Sequence, residues 1–208
     1  MFKKLFAGAA VAAAVLFSAS LASAASFDFT SGTNRTDGQG AGWHGNISYS
    51  VDGISVNATP VGYSSGGQWI RQYDDHGLAV YSGDYCCNVD SNHEVDGWIY
   101  GEAVKLTFSE EVYLTSVSFT HVDRDDQFAY RVNGGSWTEN ISIAGNNPYG
   151  FSLPGLKGTV FDIAALDWND DWKLSGVTVS AVPLPPAVLM FGAALAGLGW
   201  FRRRKAAA

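Results

Sequence analysis

Between its two ends the chain nowhere holds the roughly 3.6-residue apolar period of a helix for three turns, so its body has to be built from strands. Residues 26–181 show alternation instead. Val104, Leu106 and Phe108 mark one strand over 103–108, and Leu114, Val117 and Phe119 a second over 112–120. Residues 128–132, 137–143, 159–163 and 174–180 continue the pattern. Asn133-Gly134-Gly135 sits between two of these runs, where residues that tolerate positive φ close a hairpin. Many short strands at regular spacing, in a chain with 24 glycines, predict an all-β fold: a single β-sandwich of jelly-roll type. Residues 57–68 and 83–97 read as its long loops, and no repeat or linker divides it.

The formal net charge of −7 understates the acidity of this domain. Lys3, Lys4, Arg202, Arg203, Arg204 and Lys205 lie in the terminal segments, while all carboxylates fall between Asp28 and Asp171. Seven cations against twenty carboxylates leave the middle at −13. Phosphate backbones are held by Lys and Arg, so nucleic acid is excluded as the expected partner.

The two ends are of another kind. Residues 1–25 begin with Lys3 and Lys4, run apolar or small from Leu5 to Leu21, and finish in Ala22-Ser23-Ala24, the three zones of a cleavable signal peptide. A cut after Ala24 or Ala25 sends the domain out of the cytoplasm, where disulfides are permitted. At residues 182–208, Val182-Pro183-Leu184-Pro185-Pro186 breaks any strand ladder, because proline lacks the N–H and fixes φ. An uncharged run over 187–201 follows, and then the basic cluster 202–205. As a helix the run spans roughly 22 Å, short of a ~30 Å hydrocarbon core but close enough for snorkelling and thinning to cover. The positive-inside rule keeps the cluster cytoplasmic and the domain outside.

Proline motif, apolar run and arginine cluster, in that order at the extreme C-terminus, resemble the tripartite sorting signal of the PEP-CTERM class, in its VPLPA-CTERM variant. Pro186 stands where that variant usually has alanine, with Ala187 after it. The resemblance implies an exosortase-type membrane protease as partner and a C-terminal helix that holds the chain in the inner membrane during transit. It also implies release to the cell surface or extracellular matrix, alongside exopolysaccharide. The segments Gly77-Leu78-Ala79-Val80, His93-Glu94-Val95-Asp96-Gly97 and Asp170-Asp171-Trp172-Lys173-Leu174-Ser175-Gly176 are similar to ectodomains found ahead of such signals.

Three constellations could carry chemistry. Clustered aspartates in loops are raw material for calcium, which takes several oxygen ligands at once, and Asp123, Asp125 and Asp126 form the tightest group. No EF-hand or nonapeptide spacing accompanies them, and aspartate also serves simply to end strands and fill turns. Trp43 and Trp69 lie in glycine-rich, polar surroundings that suit flat stacking platforms for a glycan, whereas Trp98 and Trp137 are expected between the sheets. Cys86 and Cys87, the only cysteines, cannot staple distant elements and read as a strained vicinal disulfide or an interchain pair.

No nucleophile elbow, zinc-protease helix or phosphate loop is present, so the expectation is a protein without catalytic residues. A structural or adhesive role at the surface comes first and a carbohydrate-binding module second. A polysaccharide hydrolase comes third, and would need two facing carboxylates of unequal pKa.

Overall fold

A computed structural model describes residues 24–62, 67–83, 93–97, 101–143 and 149–182. Residues 1–23 of the expected signal peptide, Cys86, Cys87, Trp98, the rest of the proline motif beyond Val182, and Arg202, Arg203 and Arg204 lie outside them. The described residues are nearly all β, with a single 3-10 turn at Gly32–Asn34 and no helix long enough to cross a membrane. The strands are β1 (Ala24–Asp28), β2 (Ile47–Val51), β3 (Ile54–Gly62), β4 (Gln68–Tyr73), β5 (Gly77–Ser82), β6 (Val95–Asp96), β7 (Glu102–Thr120), β8 (Gln127–Val132), β9 (Ile141–Ser142), β10 (Tyr149–Ala165) and β11 (Asp171–Ala181).

They form one curled antiparallel sheet. Its curl comes from β7, which pairs with β3 from Glu102 to Phe108 and with β11 from Val112 to Thr120. β10 follows β7 on the other side along both halves, with its register broken between Gly158 and Val160 opposite the exposed Ser109, Glu110 and Glu111. Such breaks bend a strand and increase its twist, so the sheet turns back over its own apolar face. β1 pairs along β11, joining the first described strand to the last.

The enclosed face is filled by alternating side chains. Phe119 packs against Phe128 at 4.8 Å and Trp172 at 4.9 Å between ring centroids. Trp172 is fully buried and its indole N–H donates to the Gln127 carbonyl at 3.0 Å, which satisfies the one polar atom that burial would otherwise strand. Phe108 links Phe27 and Phe161, each at 5.8 Å. Gly77, at φ +114, brings β5 so close to β11 that a Cβ there would overlap the Leu174 carbonyl.

Several boundaries differ from expectation. The two strands predicted at 103–108 and 112–120 are one, because the interruption changes partners without ending the extended chain. Residues 57–62 belong to β3 and not to a loop: Val56 and Ala58 bury their side chains, and Pro60 is tolerated within the ladder opposite Val104. The Asn133 turn forms as read, with positive φ at Asn133 and Gly134 and a Gly135 N–H to Val132 bond of 2.9 Å. The strand expected at 137–143 shrinks to β9, and Trp137 is not between sheets. It lies half-buried with the Arg131 guanidinium 4.4 Å above its ring. β1 to β6 lie outside the strands that the alternation predicts, and β6 falls within the loop expected at 83–97.

Replacing Trp172 with alanine should cost about 3–5 kcal/mol in urea unfolding, the range for emptying a large aromatic site in a core. Trp168, 77% exposed, should tolerate the same change within about 0.5 kcal/mol. Equal losses from the two variants would contradict the packing described.

Candidate functional site

The β4–β5 hairpin carries the most distinctive surface. Alternation along β4 buries Ile70 and Gln72 and turns Trp69, Arg71 and Tyr73 to the opposite face. Gln72 is held from within, where the buried Tyr49 hydroxyl donates to its side-chain oxygen at 2.8 Å, and burial raises the Tyr49 pKa. Trp69 sits opposite Tyr81 in the ladder with ring centroids 5.7 Å apart. Trp43 is brought to the same place by backbone bonds between His44 and Ile70, 2.9 and 2.8 Å long. Its ring meets Tyr81 at 5.5 Å, His93 at 5.3 Å and Tyr73 at 6.3 Å. Arg71 lies over Tyr73 at 4.4 Å and 6.0 Å from Trp43, a cation–π arrangement that fixes the guanidinium plane.

The two tryptophans singled out in the sequence are therefore joined through Tyr81. Trp69 is 38% exposed, while Trp43 is half-buried and supports the patch from its edge.

A polar cluster adjoins this patch. Lys173, buried on β11, reaches Glu94 at 2.7 Å and lies 5.6 Å from the Tyr73 ring. Glu94 also meets His121 Nδ1 at 3.2 Å, and His121 Nε2 is 3.0 Å from His76 Nδ1. Burial, then the Lys173 charge, lowers the His121 pKa against the opposing pull of Glu94, which favours the neutral ring. Asp75, His93 and His121 all hold positive φ, at 67°, 55° and 54°. Backbone conformations of this kind persist only where the surroundings impose them. The chain Glu94–His121–His76 could pass a proton, and the Thr120 hydroxyl donates to the His76 main-chain carbonyl beside it.

The aspartates expected to bind calcium are not brought together as a ligand set. Asp126 is buried, and its two oxygens accept the backbone N–H groups of Asp123 and, at 3.0 Å, Asp171. Asp125 accepts from the Asn169 amide at 2.9 Å. Among the described residues no group of three or more His, Cys, Asp or Glu side chains is arranged to hold a metal ion. Asp170 is a second clamp, buried and accepting from Gln127 N at 2.9 Å and Asp167 N at 3.0 Å. Aspartate at a turn commonly does this work, and here it ties the starts of β8 and β11 together.

Burial raises the pKa of Asp126 and pushes Asp170 up to about 6. Asp171 is pushed up to about 7, by burial first and then by Glu94, Asp126, Asp123 and Asp96.

No protein-family model matches this chain, and no curated protein matches it. The alternation Trp69-x-Arg71-x-Tyr73 was visible in the sequence but was not read as a strand. The meeting of Glu94, His121, His76 and Lys173 depends on contacts across long sequence separations that leave no local pattern. Trp168, whose ring stands in solvent at the turn between β10 and β11, was likewise not singled out.

A carboxyl raised on folding stabilises fully below its ordinary pKa of 3.8, and that contribution is lost as pH climbs through the folded value. Asp171→Asn should therefore come close to the parent Tm near pH 3 and exceed it by a few degrees at pH 8, the gap opening between about pH 4 and 7. A gap that does not change with pH would contradict the raised Asp171.

Proposed function

We propose that this chain is an exported surface or extracellular-matrix protein, without catalytic residues, that adheres to polysaccharide through the face built by Trp69, Tyr81, Trp43 and Arg71. The observation that carries this is the Trp69 ring, 38% exposed and backed by Tyr81, beside a guanidinium held over a second aromatic ring. Sugars present apolar faces and hydroxyl rims, and a half-exposed indole with a fixed polar neighbour complements both. The finer architecture is a jelly-roll-type β-sandwich, a form favoured by the change of partners midway along β7.

Export is supported by the three-zone N-terminus, and sorting by the PEP-CTERM-like tail with an exosortase-type protease as partner. A hydrolase is less well supported. The buried carboxylates of Asp126 and Asp170 already accept two backbone N–H groups each, which leaves them engaged in holding turns.

In affinity electrophoresis against the host's exopolysaccharide, Trp69→Ala should weaken binding about tenfold or more, the loss expected from one central aromatic anchor. Trp168→Ala should leave it intact. Loss on Trp168→Ala alone would move the site to the other turn, and no retention of the parent domain would remove the adhesive role. Mass spectrometry of the protein from its host should find the N-terminus at Ala25 or Ser26 and the C-terminus within 182–186. An intact tail in the inner membrane would make the chain an ordinary anchored protein.

A further inference from the structure

Arg71 has a second environment that the aromatic face does not use. It lines a cleft of about 450 Å³ between the end of β4 and the loop after β1, a size in the range of small-ligand sites. Arg35, Asp37, Gln39, Tyr73 and Asp74 also line it, and Gly32, Gly38 and Gly40 expose bare backbone. A Cβ at any of those three glycines would meet no atom within 4 Å, so the glycine wall leaves space.

The hydrogen bonding in this cleft is unbalanced. Asp37 is fully engaged: one oxygen accepts from Arg35 Nε at 2.8 Å and Gln39 N at 3.0 Å, the other from Ser48 N at 3.2 Å. Burial alone would raise the Asp37 pKa, but these bonds outweigh it and hold the carboxylate charged. Arg35 therefore spends Nε on Asp37, and its Nη2 is buried without an acceptor. Arg71 Nε is likewise buried without an acceptor. A buried donor without a partner is costly, more so on a cation, and here two belong to guanidinium groups that line one cleft. Two planar forks ask for an acceptor with two oxygens in a plane, which a carboxylate supplies and a sugar hydroxyl does not.

We propose that this cleft is an acidic-sugar subsite of the glycan-binding face: it takes the carboxylate of a uronate-type residue between Arg35 and Arg71, while a neighbouring ring of the same chain stacks at Trp69. The subsite rests on the glycan-binding role proposed above and adds the class of polymer recognised. Asp74 on the wall and the −13 balance of the domain disfavour a polymer charged at every unit, so the fitting ligand carries its carboxylates at intervals.

The test uses oligosaccharides bearing a single glucuronate and the same compounds after reduction of the carboxyl to a hydroxymethyl group. Both sets are titrated calorimetrically into the mature domain, the Arg71→Gln and Arg71→Lys variants, and Trp69→Ala. The acidic set should bind at least tenfold more tightly than its reduced twin. Arg71→Gln should remove most of that difference by weakening the acidic set far more than the reduced set, and Arg71→Lys should restore only part of it, since lysine keeps the charge and loses the fork. Trp69→Ala should weaken both sets.

Equal binding of the two sets by the parent would overturn the subsite and leave the glycan role standing. A parallel loss of both sets in Arg71→Gln would make Arg71 a packing residue of the aromatic face and overturn the subsite as well. Comparable binding of a penta-glutamate peptide would reassign the cleft to acidic peptides. No binding of either set would remove the glycan role and the subsite together.

Discussion

Everything in this fold hangs on β7 being paired on both sides along nearly its whole length while exchanging one partner midway. β3 holds its first half, β11 its second, and β10 runs along both. A strand so placed cannot leave the sheet without breaking two ladders. The only freedom left to it is to bend where Ser109, Glu110 and Glu111 face solvent. That bend brings the two halves of the apolar face together, and Phe27, Phe108, Phe119, Phe128, Phe161 and Trp172 fill the space between them. The hydrophobic free energy is collected on one side of a single sheet, and the curl is what makes collecting it there feasible.

The polar architecture is arranged around the rim of that curl. Asp126 and Asp170 act as internal clamps, each carboxylate meeting two main-chain donors. Their desolvation is partly offset by these bonds, yet the neighbouring Asp171 shares the same negative field with no such compensation. The β4–β5 hairpin solves the opposite problem. It presents large rings and a cation outward and is anchored by Ile70 below and by the backbone bridge from His44 at its side. Acid held inside turns and aromatic surface held outside on a paired hairpin divide the labour between keeping the fold and meeting a ligand.

How far the sequence announced this depended on whether a feature was local. β7 and β11 were legible because both alternate strongly in their own residues, and the Asn133 turn because positive φ leaves a chemical signature. β4 and β5 were not, since Gln68–Tyr73 mixes a buried glutamine with outward tryptophan and tyrosine, which reverses the usual apolar-in pattern. Trp69 was read from its glycine-rich context, and the structure gives that context a cause. A Cβ at Gly67 or Gly83 would crowd the indole, so the glycines are where the ring lies down. The aspartates were ambiguous in the sequence because turn-forming carboxylates and metal-binding carboxylates share one composition. Only the direction of their oxygens separates the two, and direction is a tertiary property.

The ladder between β1 and β11 has a consequence in time. Ser26 lies opposite Thr178 and Phe27 opposite Val177, so the earliest strand of the domain finds its partner only in the last. A chain that emerges from its N-terminus, whether from a ribosome or through a translocation channel, must carry β1 unpaired until nearly the whole domain has passed. Until then β11 has no neighbour along that edge and β1 has none at all. Closure of the sheet thus reports that the chain has fully arrived, and any truncation at the far end is felt first at the beginning.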